Sequence, residues 1–434
     1  MTYKETIEYL YSQLPMFHRE GKIAYKANLD NIKKFTEALG SPQNKFKSIH
    51  VAGTNGKGSV CHMLASILQE AGYKTGLFTS PHLIDFRERI RINGIMVPEE
   101  YIIAFVKENM NLLDKIQPSF FEMTAAMAFD YFEKEKIDIA VLETGLGGRL
   151  DATNIVNPVV TAITNISSDH TDILGETLEQ IAGEKAGIIK PNIAVIIGES
   201  IPETRQVFVE KAKQSNSKLI FAEENYSLEN SSISYPDKQF ISIKRPTVNK
   251  SQKYTLDLLG NYQTKNLITV LSIVDELRNS GISIEEKALF AGLERTIQNT
   301  GLMGRWQILA RRPFIVADTG HNEEGLKAVV KQLKKTPCKK LHIIYGMVKD
   351  KNVKKALSVL PKNAIYYFTK ASIPRALDEQ ILLKEGKMMY LSGKSFPTVK
   401  DALETARKQA QSDDCIYIGG STFVVGEAIK EFLK

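Results

Sequence analysis

Residues 51–60 read VAGTNGKGSV, with three glycines, a lysine and a serine directly after an apolar run. A glycine turn between a strand and a helix points backbone N–H groups at whatever sits there, and the helix dipole makes that ligand an anion. Lys57 has the reach to meet phosphate oxygens, and Ser59 can bond a phosphate or approach its metal. The spacing breaks the usual G-x-x-x-x-G-K-[ST] pattern, because Gly58 stands where a hydroxyl residue should follow Lys57. A ligand-free glycine turn is the competing reading; Asn55, Lys57 and Ser59 together favour phosphate.

Three further stretches carry candidate groups. In VLETGLGGRLDATN (141–154), Glu143 ends an apolar run before a glycine turn, the place where α/β sheets bind ligands. A nucleotide loop elsewhere on the same sheet needs an acid to hold its metal, and magnesium keeps waters, so one or two protein groups suffice. In ITNISSDHTDILG (163–175), His170 stands between Asp169 and Asp172 at another strand end. TSPHLIDFRERIRING (79–94) offers Ser80 near the metal and arginines for an anionic substrate, or else a charged surface loop. Lys185 in IAGEKAGIIK (181–190) reads, on its own residues, as helix surface. Further along, GRW supplies Arg305, and ADTGHNEEG (317–325) supplies Asp318 and His321. An arginine beside a phosphate stabilises developing charge in phosphoryl transfer.

The elements that must hold these groups follow from the hydrophobic pattern. KSIHVAG, IDIAVLETG, VVTAITNIS and IAVIIGES are apolar along most of their length, as buried parallel strands are. Between the first two, Val60, Met63, Leu64, Ile67, Leu68 and Ala71 fall on one helical face, and Gly72 offers a stop. This strand–helix alternation predicts an α/β domain with a mostly parallel sheet and helices on both faces. Residues 227–259 turn polar and alternating, which predicts a small antiparallel appendage. After RTIQNTGLMGRW a second series follows: PFIVADTG, KLHIIYGM, NAIYYFT, KMMYLS and DCIYIGGS. It predicts a smaller Rossmann-like α/β domain, giving domains at 1–297 and 298–434.

Bulk properties narrow the classes. The chain has 434 residues, too many for one typical core. Its net charge of +7 suits an anionic ligand, yet no basic block interleaves with aromatics, which argues against nucleic acid. Three scattered cysteines (61, 338 and 415) form neither a disulfide framework nor a metal motif and fit a reducing cytoplasm. The start MTYKETIEYLYSQLPMF lacks a basic region followed by an apolar core, so no signal peptide is expected, and no run approaches a membrane span.

Taken together, VAGTNGKGS, TSPHL, FRERIRING, FFEMTAAMAF, LETGLGGRLDATN, ITNISSDHTDILG, IAGEKAGIIK and GHN occur in the order found in folylpolyglutamate synthases. Many bacterial members of that family also act as dihydrofolate synthases, and the family lies within the Mur ligase superfamily. The resemblance implies a cytoplasmic, monomeric ATP-dependent amide ligase. Such an enzyme joins L-glutamate to dihydropteroate or tetrahydrofolate through an acyl phosphate. It implies a phosphate loop at Asn55, Gly56, Lys57, Gly58 and Ser59, and further ATP contacts at Asn266, Arg305, Asp318 and His321. Magnesium ligands fall on Ser80, Glu143 and His170, and the family's carbamylated lysine, which helps a second magnesium, falls on Lys185. Lys57, Glu143, His170 and Lys185 are thereby the implied catalytic set; a monovalent cation is also admitted. The pteroate pocket falls on Phe121, Glu122, Leu150, Asp151 and Ala152, with an N-terminal substrate contact around residues 29–32.

The chain departs from the family pattern in three places. Tyr262 replaces the histidine of G-x-H-Q-x-x-N, Met303 replaces the proline of P-G-R, and Asn31 stands where an arginine is common. Two other readings share parts of the pattern. A Mur-type cell-wall ligase keeps the loop but activates a nucleotide-sugar substrate, and FFEMTAAMAF and RLDATN count against it. A nucleotide-driven switch would bind a partner and make no bond, and its hydrolysis would ignore folates.

Overall fold

In Lys47–Ala52 (β1) every residue after the first is buried, whichever face of the strand it occupies. The same holds throughout Ile139–Glu143 (β5) and Val160–Ile163 (β6). Strands buried on both faces belong to a parallel sheet covered by helices on both sides. A computed structural model, describing residues 1–14, 28–234, 237–246, 249–349 and 351–433, shows such a sheet. Its remaining strands are Thr75–Phe78 (β2), Ile90–Ile92 (β3), Ile95–Met96 (β4), Val195–Ile197 (β7) and Leu219–Phe221 (β8). They lie in the order β4-β3-β2-β5-β1-β6-β7-β8. The β2–β3 and β3–β4 pairings are antiparallel and the others parallel.

β1 lies between β5 and β6, with Val51 opposite Glu143 on one side and Ala162 on the other. The chain leaves β5 on one side of β1 and enters β6 on the other. The crevice beyond the carboxyl end of β1 is therefore the switch point of the sheet.

Helix Lys57–Glu70 (α1) differs from its predicted one-sided pattern: residues 58–68 are all buried. It packs against the sheet and also against helices Gln263–Asn279 and Glu286–Glu294. A helix covered by a second helical layer needs apolar or small residues all round. Helix Phe120–Lys134 starts with a capping box between Ser119 and Glu122 and packs its aromatics into the same unit's core.

The expected appendage is a three-stranded antiparallel sheet, Ser227–Ser234, Lys238–Arg245 and Lys250–Leu256 (β9–β11). Residues 235–236 and 247–248 of that stretch, and residues 15–17 of the N-terminal stretch, lie outside the described residues.

Two compact units result: residues 1–232, 239–257 and 263–301 form the first, and 233–238, 258–262 and 302–434 the second. The second has six strands: Gln307–Arg311 (β12), Phe314–Ala317 (β13), Leu341–Tyr345 (β14), Ile365–Thr369 (β15), Gly393–Phe396 (β16) and Cys415–Gly419 (β17). Their order is β12-β13-β17-β14-β15-β16, parallel except for β12. Trp306, Tyr345, Tyr366, Phe368 and Tyr417 fill its core, and Leu259 joins them. KMMYLS, expected as a strand, is instead the end of helix Glu379–Met388 and the turn after it. Tyr390 there takes φ +60°, and the strand begins only at Gly393.

Candidate functional site

The loop after β1 is built around two glycines that no other residue could replace without movement. Gly53 takes φ +144°, and a Cβ on it would lie 1.9 Å from Thr164 Oγ1. Gly56 takes φ +86°, and a Cβ would lie 2.2 Å from Asn266 Oδ1. The end of β6 ties the loop down: Asn55 N donates to Asn165 Oδ1 (2.9 Å), and Thr164 Oγ1 and Asn165 Nδ2 both donate to Asn55 O (2.6 and 3.0 Å). Gly58 and Ser59 fall in the first turn of α1, whose leading N–H groups have no acceptor within the helix. Ser59 is 1% exposed, and its hydroxyl accepts from Gln263 Nε2 (3.1 Å). Gln263 in turn accepts from Asn266 Nδ2 (2.7 Å). Gln263 and Asn165 escaped the sequence reading; the signal for Gln263 was its place one helical turn before Asn266.

Two lysines converge beneath this loop. Lys57 Nζ donates to Gly53 O (3.1 Å) and Thr54 O (3.3 Å), and Lys185 Nζ donates to the same Gly53 O (2.9 Å). Lys185 sits in helix Leu178–Ala186 and is 4% exposed, so its reading as helix surface is overturned. Burial pushes its ammonium down to about 7, Lys57 pushes the same way, and Asp169 and Asp151 oppose. One carbonyl dipole thus serves two cations, and the buried one is easily neutralised.

Glu143, 4% exposed, ends β5, and its Oε2 accepts from Ser80 N (3.0 Å) just beyond the adjoining strand β2. This brings Ser80 and Glu143 together. His170 takes φ +50° before the short turn Thr171–Leu174, with Nε2 3.9 Å from Asp169 Oδ1. Among the described residues, no three His, Cys, Asp or Glu side chains gather closely enough to hold a metal by themselves. A magnesium ion here would need phosphate oxygens and water to complete its oxygen shell.

The arginines of FRERIRING are committed within the protein. Arg87 pairs with Asp85 (2.8 Å), Arg89 Nε donates to His82 (2.8 Å) and lies over the Phe120 ring, and Arg91 donates to Gly94 O (3.2 Å). These contacts give the three arginines a structural role, beside the expected one of facing an anionic substrate.

Of the expected pteroate pocket, Phe121 packs over Gly145, where a Cβ would meet its ring at 2.5 Å, and against Phe78. Glu122 Oε2 accepts from Ser119 N (2.7 Å), while its buried Oε1 has no partner among the described residues. Asp151 organises its own loop, accepting from Gly145 N, Leu146 N, Thr153 N and Thr153 Oγ1. Burial nonetheless raises its carboxyl above the usual range. Leu150 is partly exposed, and Ala152 opens the short helical turn Ala152–Ile155. Near the N-terminus, Asn31 Nδ2 donates to Gln117 O (3.2 Å).

In the second unit, Asp318 directly follows β13 and is 2% exposed. Its Oδ2 accepts from Tyr262 Oη (2.5 Å) and Trp306 N (2.8 Å), and its Oδ1 from Gly320 N (2.8 Å). Burial raises this carboxyl, and the Tyr262 bond and the charge of Arg305 oppose. Arg305 NH1 donates to Thr319 Oγ1 and Gly304 O, and His321 Nδ1 lies 3.0 Å from Thr319 O. Arg305, from the loop before β12, and Asp318 and His321, from the loop after β13, thus meet around Thr319.

Comparison with known proteins agrees with this layout. Residues 51–274, more than half of the chain, match the Mur ligase middle domain, and residues 304–422 match the Mur ligase glutamate ligase domain. The dihydrofolate synthase/folylpolyglutamate synthase of Bacillus subtilis is 33% identical over 431 residues, covering 96% of this chain and 97% of the relative. Escherichia coli FolC in complex with DHPP and ADP superposes with a TM-score of 0.85 at 29% identity, covering 99% of this chain and 97% of that one. Mycobacterium tuberculosis folylpolyglutamate synthase complexed with ADP and AMPPCP gives 0.88 at 28% identity, covering 100% and 98%.

Proposed function

The chain belongs to the Mur ligase family and, within it, to the dihydrofolate synthase/folylpolyglutamate synthases. From that premise we propose that it joins L-glutamate to dihydropteroate, to reduced folates, or to both, with ATP converted to ADP and phosphate. A carboxylate is a poor electrophile. Its oxygen attacks the γ-phosphate and forms an acyl phosphate; the glutamate amine then attacks the carbonyl carbon, and phosphate leaves. The protein's share is to position the reactants and neutralise phosphate charge.

The observation that carries this reading is the meeting of Lys57 and Lys185 at Gly53 under the glycine loop, with the Ser80–Glu143 pair at the neighbouring strand ends. Lys57 and the loop N–H groups would hold the phosphates. Glu143 and Ser80 present oxygens that fit magnesium, with His170 as a further ligand; the ion would screen the phosphate charge. The depressed Lys185 supports carbamylation, since a neutral amine can add to carbon dioxide and release one proton to give an N-carboxylate. That anion would be an oxygen ligand for a second ion.

Phe121, Glu122, Leu150, Asp151 and Ala152 are assigned to the acceptor pocket. Asn266, Arg305, Asp318 and His321 are assigned to the nucleotide. The first unit is assigned to ATP and folate, and the second, expected as residues 298–434 but formed by 302–434 with 233–238 and 258–262, to glutamate ligation in a cytoplasmic monomer. Among the described residues no helix is long and apolar enough to cross a membrane.

Phosphate release from Mg-ATP with glutamate tests the proposal, using dihydropteroate in one assay and tetrahydrofolate in the other. Release that depends on either acceptor supports it; release indifferent to both sinks it.

A further inference from the structure

The turn that holds Asp318 has an unusual construction. Trp306 adopts φ +49°, a region costly for a bulky residue, and in doing so aims its N–H at Asp318 Oδ2. Tyr262 comes to the same oxygen from a separate piece of chain, the five-residue segment 258–262 that belongs to the second unit. Its ring is seated on Gly260, where a Cβ would lie 2.5 Å from Tyr262 Cζ. Tyr417 Oη reaches the Asp318 backbone carbonyl at 3.5 Å.

The two carboxylate oxygens are therefore unequal. Oδ2 takes two protein donors, which fills the usual capacity of a carboxylate oxygen. Oδ1 takes one, from Gly320 N, which leaves it capacity for a second donor. Rotation of the carboxylate about its Cβ–Cγ bond would exchange the two oxygens. The phenol, directed by its seat on Gly260, is a second donor to Oδ2 beside Trp306 N and opposes that rotation.

We propose that Tyr262 is a positioning residue for nucleotide binding: its hydroxyl fixes the Asp318 carboxylate so that Oδ1 is presented to the bound nucleotide. The inference rests on the assignment of Asp318 to the nucleotide. It gives a task to the residue at which this chain departs from the G-x-H-Q-x-x-N pattern. An imidazole N–H at the same place could donate in the same way, so histidine is the conservative replacement.

The test is steady-state kinetics on the full chain, varying ATP at saturating acceptor and glutamate, after circular dichroism has confirmed the fold. Tyr262→Phe should raise the KM for ATP at least tenfold, the scale of one hydrogen bond to a charged group, and change kcat less than about threefold. Tyr262→His should return KM to within about threefold of the parent. Asp318→Asn should raise KM alone, and adding Tyr262→Phe to it should raise KM no further, because the phenol acts only through the carboxylate. An unchanged KM in Tyr262→Phe, or full additivity in the double variant, overturns the proposal. Tyr262→Leu is a second donor-free chain; if neither it nor the Phe variant folds, Tyr262 serves folding and the proposal also falls. An Asp318→Asn chain with unchanged KM would instead remove the nucleotide assignment on which the proposal stands.

Discussion

Replacing Lys185 by methionine removes a buried ammonium while keeping most of the side chain's length, and the stability difference between the two chains should then vary with pH. In the folded chain the ammonium is held near 7, against an ordinary 10.5 in the unfolded chain. Between those values the unfolded chain binds more protons, so this group makes stability rise with pH. Below pH 7 its penalty levels off at roughly 5 kcal/mol, and above 10.5 it vanishes. Integrated from pH 7 to pH 9, the parent should gain about 2 kcal/mol relative to Lys185→Met. The two Gly53 hydrogen bonds leave the Lys57 and Lys185 Nζ atoms at most about 6 Å apart, and at an effective dielectric of 20 their repulsion is on the order of 3 kcal/mol. That repulsion acts in addition to the burial that leads the shift. Urea denaturation followed by circular dichroism, on both chains in carbon-dioxide-free buffer at pH 6, 7, 8 and 9, measures the difference. Titrating groups that do not sense Lys185 cancel in the comparison. A difference that stays flat across this window, or that shifts against the parent as pH rises, would show that Lys185 is an ordinary charged lysine and refute the reasoning.

Lys57→Ala and Glu143→Ala should each lower ligation at least 100-fold with an unchanged circular dichroism spectrum, since each removes charge placed for the phosphates or their metal; near-normal turnover in a folded variant contradicts the assignment. Lys185→Ala should lose activity and recover part of it with added formate or acetate, which can stand in for a carbamate's oxygens; full activity without additive removes the carbamate idea. Gly53→Ala should destabilise the first unit by about 2 kcal/mol or more, because the new Cβ meets Thr164 Oγ1 and the backbone stays at φ +144°. A melting temperature equal to the parent's would count against the tight loop described here.

The parts of the site that showed in the sequence are those where one strand carries its own evidence. Glu143 ends a five-residue run buried on both faces, and Asp318 directly follows another apolar strand, so pattern and chemistry point to the same place. Lys185 was hidden because its burial comes from a loop 132 residues earlier in the chain, and its own helix shows only a charged, small-residue pattern. The arginines of residues 87–91 showed only their charge: their partners Asp85, His82 and Gly94 lie close by in sequence, but pairing is invisible without the turn that makes it. Strands β2, β8 and β12 were not read from the sequence. The α/β class and the two-part organisation were legible because many strands and helices repeat the same alternation.

The route of the backbone bears on whether the second unit is portable. The chain passes between the two units five times, and the short piece 258–262 belongs with residues 302–434 although three helices of the first unit separate them in sequence. Gln332, 1% exposed, donates to Leu259 O (2.8 Å) and accepts from Asn261 N (2.7 Å). A contiguous fragment cut at residue 302 would lose both of these hydrogen bonds and would open the core where Leu259 sits. Gene fusions or domain exchanges that treat this unit as a simple C-terminal cassette would therefore carry a built-in defect, and a graft would need residues 258–262 supplied alongside it.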